Sequence, residues 1–173
     1  MHPFQQQCRI ERELARFQRL LRSSIVSSLP DDVAGVLAFI HRHLFLSDMS
    51  VGWVLEHCEV YSNAFPSRFK HATGLTIRCY IEEKRMLAAM RLLSIEELDV
   101  HGIAVGLGYA SYSTFNRAFQ RFVGCTASEF RTTLKEMGTR IHFDAASELH
   151  LEGTNSSLSA QEIIQTIREV QSS

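Results

Sequence analysis

The chain matches itself at an offset of fifty residues: Phe65 falls on Phe115, Phe69 on Phe119, Gly74 on Gly124, Thr76 on Thr126 and Tyr80 on Phe130. Upstream the offset shortens to forty-nine, so that Ser50 falls on Asp99, Val51 on Val100, Val54 on Ile103 and Leu55 on Ala104. A one-residue difference in the length of a turn accounts for the change. A period of this size means that one supersecondary unit occurs twice. Each copy must close on itself, and something must join the two.

The second copy shows what the unit is. In SYSTFNRAFQRFVG (111 to 124), Phe115, Ala118, Phe119 and Phe122 recur at i, i+3, i+4 and i+7, the buried stripe of a helix. The opposite stripe is Ser113, Asn116, Arg117, Gln120 and Arg121, all hydrogen-bond donors, with no carboxylate among them. That is the chemistry required of a helix lying in a DNA groove. Before it, Asp99 caps a short helix carrying Val100, Ile103, Ala104 and Leu107, Gly108-Tyr109 breaks it, and Ser111 caps the next. Two short helices about a glycine turn, the second with a polar outer face, predict a helix-turn-helix. By the repeat, residues 49 to 74 are another, with Asn63, Ser67, Lys70 and His71 on its outward face.

Between the copies, Thr76 to Leu93 has no helix breaker. At about 1.5 Å per residue it would be a rod roughly 27 Å long. Such a rod can hold two recognition helices about one DNA turn apart, roughly 34 Å. Arg85 falls in line with Ile77, Ile81, Ala88 and Leu92 on its apolar face, where an arginine bonded to carbonyls or a carboxylate is expected rather than a DNA contact. Thr126 with Glu129 forms a capping box for a last short helix whose Phe130 closes the second unit.

The flanks are less determined. In residues 9 to 28, Ile10, Leu14, Phe17 and Leu21 step by 4, 3 and 4, a heptad seam among five arginines. Two readings stand: a helix packing on its own domain, or an arm that forms a homodimer. Leu29-Pro30-Asp31-Asp32 then ends one helix and starts another, a core helix with Val33, Val36, Leu37, Ile40 and Leu44. His41 and His43 point to different faces and are no metal pair. After Gly138, Ile141 and Phe143, then Leu149 and Leu151, alternate as short strands or loop would. Gly153 to Ser157 is a flexible break, and Ser159 with Glu162 forms a capping box before Ile163, Ile164, Ile167 and Val170, an amphipathic helix of unknown partner.

A net charge of −1 first argues against a nucleic-acid partner, but the distribution reverses the argument. Residues 62 to 91 hold six basic against two acidic residues and residues 109 to 135 four against one, while the tail from 140 holds two against five. The four cysteines are dispersed without CxxC spacing and are expected as reduced thiols, with Cys58 and Cys79 at least partly buried. No nucleophile motif, phosphate loop, HExxH or paired-carboxylate constellation is present, so no enzyme, metal or cofactor is expected. Neither a signal peptide nor an apolar run of membrane-spanning length occurs, so a soluble, cytoplasmic chain that engages no membrane is expected.

Residues 31 to 135 resemble the DNA-binding domain of the AraC/XylS family of bacterial transcription regulators. The matching words are FKHATG (69 to 74), then Tyr80, Arg85, Ala89 and Leu92-Leu93, then IAVGLGY (103 to 109), SYSTFNRAFQRFVG and SEFR (128 to 131). The resemblance implies an all-α, seven-helix domain of two helix-turn-helix units (49 to 74 and 99 to 124) joined by a linker helix (76 to 93). Residues 1 to 30 and 136 to 173 are then short extensions. It implies binding of double-stranded DNA through the major groove, with Asn63, Ser67, Ser113, Thr114 and Arg117 as base-reading candidates and Lys70 and Arg121 as phosphate contacts. The first unit departs from the family at Leu55, Glu59, Tyr61 and Pro66, where a small residue, a turn glycine, a serine cap and an unbroken helix are usual. Pro66 requires a late start, with Asn63 as cap about half a turn on. The second unit is therefore expected to dominate specificity. The alternative is a protein-interaction module of the same fold, binding RNA polymerase or a sister regulator.

Overall fold

The computed structural model describes residues 3–25, 29–138, 140–143, 149–151 and 160–171. In chain order they form α1 (Pro3–Ser23), α2 (Asp31–His43), α3 (Val51–His57), α4 (Phe65–Thr73), α5 (Ile77–Leu93), α6 (Val100–Gly106), α7 (Tyr112–Val123), α8 (Ala127–Glu136), β1 (Ile141–Phe143), β2 (Leu149–Leu151) and α9 (Ala160–Gln171). The seven helices expected from residue 31 onward are α2 to α8. Among the described residues the only strands are β1 and β2, an antiparallel pair with Ile141 opposite Leu151.

The repeat is realised in caps and core alike. Ser50 and Asp99 accept the backbone N–H of Trp53 and Gly102, capping α3 and α6. Thr76 and Thr126 do the same for α5 and α8, and Thr126 with Glu129 completes the capping box. Gly74 and Gly124 end α4 and α7 in the left-handed conformation that a side chain disfavours. Each unit closes on an aromatic triad. Phe65 to Phe69 is 6.1 Å and Phe69 to Tyr80 5.9 Å; the counterparts Phe115 to Phe119 and Phe119 to Phe130 are 5.7 and 5.3 Å.

α5, at about 1.5 Å per residue roughly 25 Å long, is the axis of the molecule. Its first half buries one stripe, but from Arg85 to Met90 every residue is buried, because α1, α6, α7, α8 and β1 all pack around it. Arg85 has the structural role its position implied. Its Nε donates to the Leu44 carbonyl at 2.8 Å and its Nη2 to the Leu46 carbonyl at 2.6 Å, just beyond the end of α2. The same guanidinium lies 5.7 Å from the centre of the Tyr109 ring, at the turn of the second unit. Gly108 beside it has φ +83°, and a Cβ there would stand 2.6 Å from the Phe45 carbonyl oxygen. The turn of the second unit thus closes directly on the chain leading into the first.

The heptad seam of α1 is spent inside its own chain. Ile10, Leu14, Phe17 and Leu21 are buried against α6, α2 and α5. Ile10 lies so close to α6 that a Cβ on Gly106 would be 2.6 Å from it. The packing reading therefore holds, and the reading of the seam as a dimerising arm loses the apolar face it required. The helix also starts earlier than expected and ends at Ser23; residues 26 to 28 lie outside the described residues.

The tail helix finds its partner on the same molecule. α9 packs on α8 through Ile163, Ile164 and Ile167, while Val170 stays exposed. Its expected cap at Ser159 and the break at 153 to 157 lie outside the described residues. Cys79 is exposed, contrary to expectation, and Cys58 is half-buried. No described helix is long and apolar enough to cross a membrane.

His41, on α2, is buried and its Nε2 shares a hydrogen bond of 2.7 Å with the Tyr80 hydroxyl. Burial first, then the nearby charges of Lys84 and Arg22, lower its pKa to about 4. Because this lies below the unfolded value of about 6.5, the unfolded chain takes up the proton first as pH falls. The stability contributed by neutral His41 is complete above about pH 6.5 and is lost toward pH 4. Between pH 7.5 and 5 the expected loss is about 2 kcal/mol, read from urea midpoints. A His41→Gln variant should lose that pH dependence; an unchanged slope would assign it elsewhere.

Candidate nucleic-acid interface

The two recognition helices come from equivalent sequence but are not equivalent structures. α7 has twelve residues, begins directly after Ser111 and is capped by its hydroxyl, which accepts the Thr114 N–H at 3.2 Å. At its far end the Gly124 N–H bonds back to the Gln120 carbonyl, and Arg168 of α9 donates from Nε to the Val123 carbonyl at 2.8 Å. α4 has nine residues and begins three residues later in the repeat. Pro66 cannot continue a helix backward, since it lacks an N–H and restricts the residue before it. The delay is larger than the half-turn expected, and Asn63 is not the cap. Ala64 holds that position without a side-chain cap, and Ser62 instead accepts the Ala64 N–H at 3.3 Å. Asn63 sits in the turn before α4, exposed.

The turn of the first unit is strained where the second is relaxed. Glu59 has φ +54°, and its counterpart under the repeat is Gly108. A non-glycine residue held left-handed costs about 1 to 2 kcal/mol. The first unit thus keeps the shape of the second with a residue poorly suited to it.

Ser67 and Lys70 are exposed on α4, and Lys70 has no ion pair among the described residues. Ser67 borders a recess with Leu29, Pro30 and Arg68. Arg68 is held by Asp32 at 2.5 Å and packs on the Phe65 ring. On α7, Ser113, Thr114 and Arg117 are exposed in the first half of the helix. Arg117 has no ion pair among the described residues. The Thr114 hydroxyl is 2.9 Å from that of Ser111, in the cap. Arg121, also exposed, is ion-paired with Glu82 of α5.

Two residues of the expected stripes are turned otherwise. Asn116 points away from the outer face, and its Oδ1 accepts the Ala127 N–H at 3.0 Å, at the start of α8. Phe122 is only half-buried, and Val123 takes its place in the core.

Thr114, Arg117 and Arg121 line one side of a cleft of about 690 Å³, and Arg78, Glu82 and Arg85 of α5 line the other. The structure brings these together; it places Asn63, Ser67 and Lys70 on the other unit and Ser113 outside the cleft. Arg78 was not singled out from the sequence, although its spacing of i, i+4 and i+7 with Glu82 and Arg85 puts it on their face.

The helix-turn-helix domain family matches residues 58–133 of the chain. The chain is 35% identical over 74 residues to the RCS-specific HTH-type transcriptional activator RclR of Escherichia coli K12, covering 43% of this chain and 26% of RclR. It is 32% identical over 97 residues to the regulatory protein SoxS of the same strain, covering 49% of this chain and 91% of SoxS. The match to RclR thus spans about a quarter of that protein's length. Among solved structures, the C-terminal domain of AraT, a response regulator from Geobacillus stearothermophilus, is similar with a TM-score of 0.58 at 28% identity, covering 62% of this chain and 88% of that one. The DNA-binding domain of AdpA, crystallised with a target DNA, has the same fold at a TM-score of 0.57 and 24% identity, covering 62% and 96%.

Proposed function

The chain belongs to the AraC/XylS family of bacterial transcription regulators, and on that premise we propose that it reads double-stranded DNA mainly with its second helix-turn-helix unit. The observation that carries this is Arg117: an exposed guanidinium without an ion pair among the described residues, on a recognition helix fixed at both ends. An arginine aimed into the major groove pairs with both O6 and N7 of guanine, worth about 1 to 3 kcal/mol of discrimination. Ser113 and Thr114, in the first turn of α7, are its base-reading neighbours. Arg121 and Lys70 hold phosphates, which fix register without carrying sequence. Asn63 and Ser67 are left to a minor role, because α4 is short and its start lacks a side-chain cap.

The protein acts in the cytoplasm, where the bacterial chromosome lies. The shortened α4 and the 79% exposed Tyr61 before it favour one further reading, in which the first unit contacts RNA polymerase or another regulator while the second holds DNA. A second copy of the chain would have to dock elsewhere than on the seam of α1, which is already covered.

Selection of bound duplexes from a random-sequence library tests the function. The expected result is one enriched site in which a single block of base pairs, that under α7, carries most of the information. Enrichment of no sequence would overturn it.

A further inference from the structure

The cleft between α5 and α7 presents two facing rows of polar and charged side chains. On α5, Arg78, Glu82 and Arg85 occur at i, i+4 and i+7; on α7, Thr114, Arg117 and Arg121 occur at i, i+3 and i+7. Arg85 is committed to the carbonyls of Leu44 and Leu46. That leaves three exposed arginines and one carboxylate around about 690 Å³ of open space. The carboxylate is engaged: Glu82 pairs with Arg121, whose side chain is 67% exposed while that of Glu82 is 29% exposed. The arginine can therefore swing away to another anion, and the carboxylate is the less free partner.

Three cations against one carboxylate favour an anionic occupant, and the neighbouring Arg117 makes the backbone of a duplex the anion at hand. We propose that this cleft is a track for a DNA backbone phosphate, contacted by Arg78 and Arg121, and that Glu82 is the internal counter-ion the phosphate displaces, so that Glu82 lowers binding to duplexes that do not seat correctly. The inference rests on the reading of α7 as the DNA-reading helix. In the free protein Glu82 neutralises Arg121, and a loosely approaching duplex meets a carboxylate. Like charge at an interface suppresses wrong partners. A duplex seated by Arg117 brings its phosphate close enough to take Arg121 over. Glu82 is thus a specificity-determining residue that touches no base.

The test is a double-mutant cycle on the full chain, using Glu82→Gln, Arg121→Gln and both together. The probe is a mixed-sequence duplex long enough to cover both units, titrated across a salt series. Glu82→Gln should bind this probe about three- to tenfold more tightly, since it frees an exposed, weakly held arginine. Its slope of log affinity on log salt should steepen by about 0.9, the signature of one more phosphate contact. Because Glu82 holds Arg121 until a duplex is seated, Arg121→Gln should cost this mixed-sequence probe less than about twofold in the natural background, and it should cancel the whole gain in the Glu82→Gln background. Equal effects of Arg121→Gln in both backgrounds, or an unchanged slope for Glu82→Gln, would overturn the inference and leave the DNA-reading function standing. No binding of any duplex by the unmodified protein would overturn both. An unaltered thermal midpoint of each variant shows that the fold is intact, and the substituted side chains are partly exposed and near-isosteric for Glu82→Gln.

Discussion

Arg85→Leu is expected to cost about 3 to 5 kcal/mol of folding stability, although leucine fills a similar stem and adds no charge. The loss comes from what the guanidinium leaves behind. Its two hydrogen bonds, 2.8 and 2.6 Å long, end on the carbonyls of Leu44 and Leu46, and each charge-assisted bond of this kind is worth about 1.5 to 3 kcal/mol. Those carbonyls follow the end of α2, where the helix dipole favours a cation, so its removal also withdraws a favourable field. Contact with the Tyr109 ring is lost as well. Arg85→Lys should recover only part of the stability, because an ammonium is a point charge and cannot match the fork that spans both carbonyls. Urea unfolding of the two variants measures this directly. A loss below about 1 kcal/mol for Arg85→Leu would show that the buried guanidinium is not the tie between the units.

The same tie has a functional consequence. Arg85 joins the exit of α2 in the first unit, the linker helix and the turn of the second unit, while Gly108 lets that turn meet the Phe45 carbonyl. Under the proposed function, this junction sets the separation of the two recognition helices.

Much of this was legible in the chain because it is written twice. The repeat at fifty residues located both turns, both left-handed glycine ends, the four capping side chains and the two aromatic triads, since each depends on residues close in sequence. The position of Arg85 in an apolar row was enough to assign it a buried structural role. What escaped depends on partners far along the chain. A heptad seam states that α1 will bury one face but not against what; the answer lay in Gly102 and Gly106, whose missing side chains let Ile10 approach α6. Asn116 looked like a member of a polar face, and only its bond to the Ala127 N–H shows it as a cap for α8. Arg121 was expected as a phosphate contact, and its ion pair with Glu82 of α5 depends on a partner thirty-nine residues away. The effect of Pro66 was read in the right direction, but its size was set by the turn, where Ser62 and Ala64 rather than Asn63 begin α4.

Arg117 is the residue on which the functional account turns, and its expected effect is large for a single exposed side chain. Arg117→Ala leaves the core untouched, so stability should change by less than about 0.5 kcal/mol. Discrimination should fall by about 1 to 3 kcal/mol, roughly 5- to 150-fold, at one base pair of the site and not at the others. Loss of a phosphate contact such as Lys70 would instead weaken all sequences alike and flatten the salt dependence. The measurement is the affinity of the unmodified protein and of Arg117→Ala for the selected site and for its three single-base variants at each position, at fixed salt. The account predicts that the variant ceases to distinguish the four bases at one position, guanine being preferred there by the unmodified protein. Equal base preferences for the two proteins at every position would contradict it.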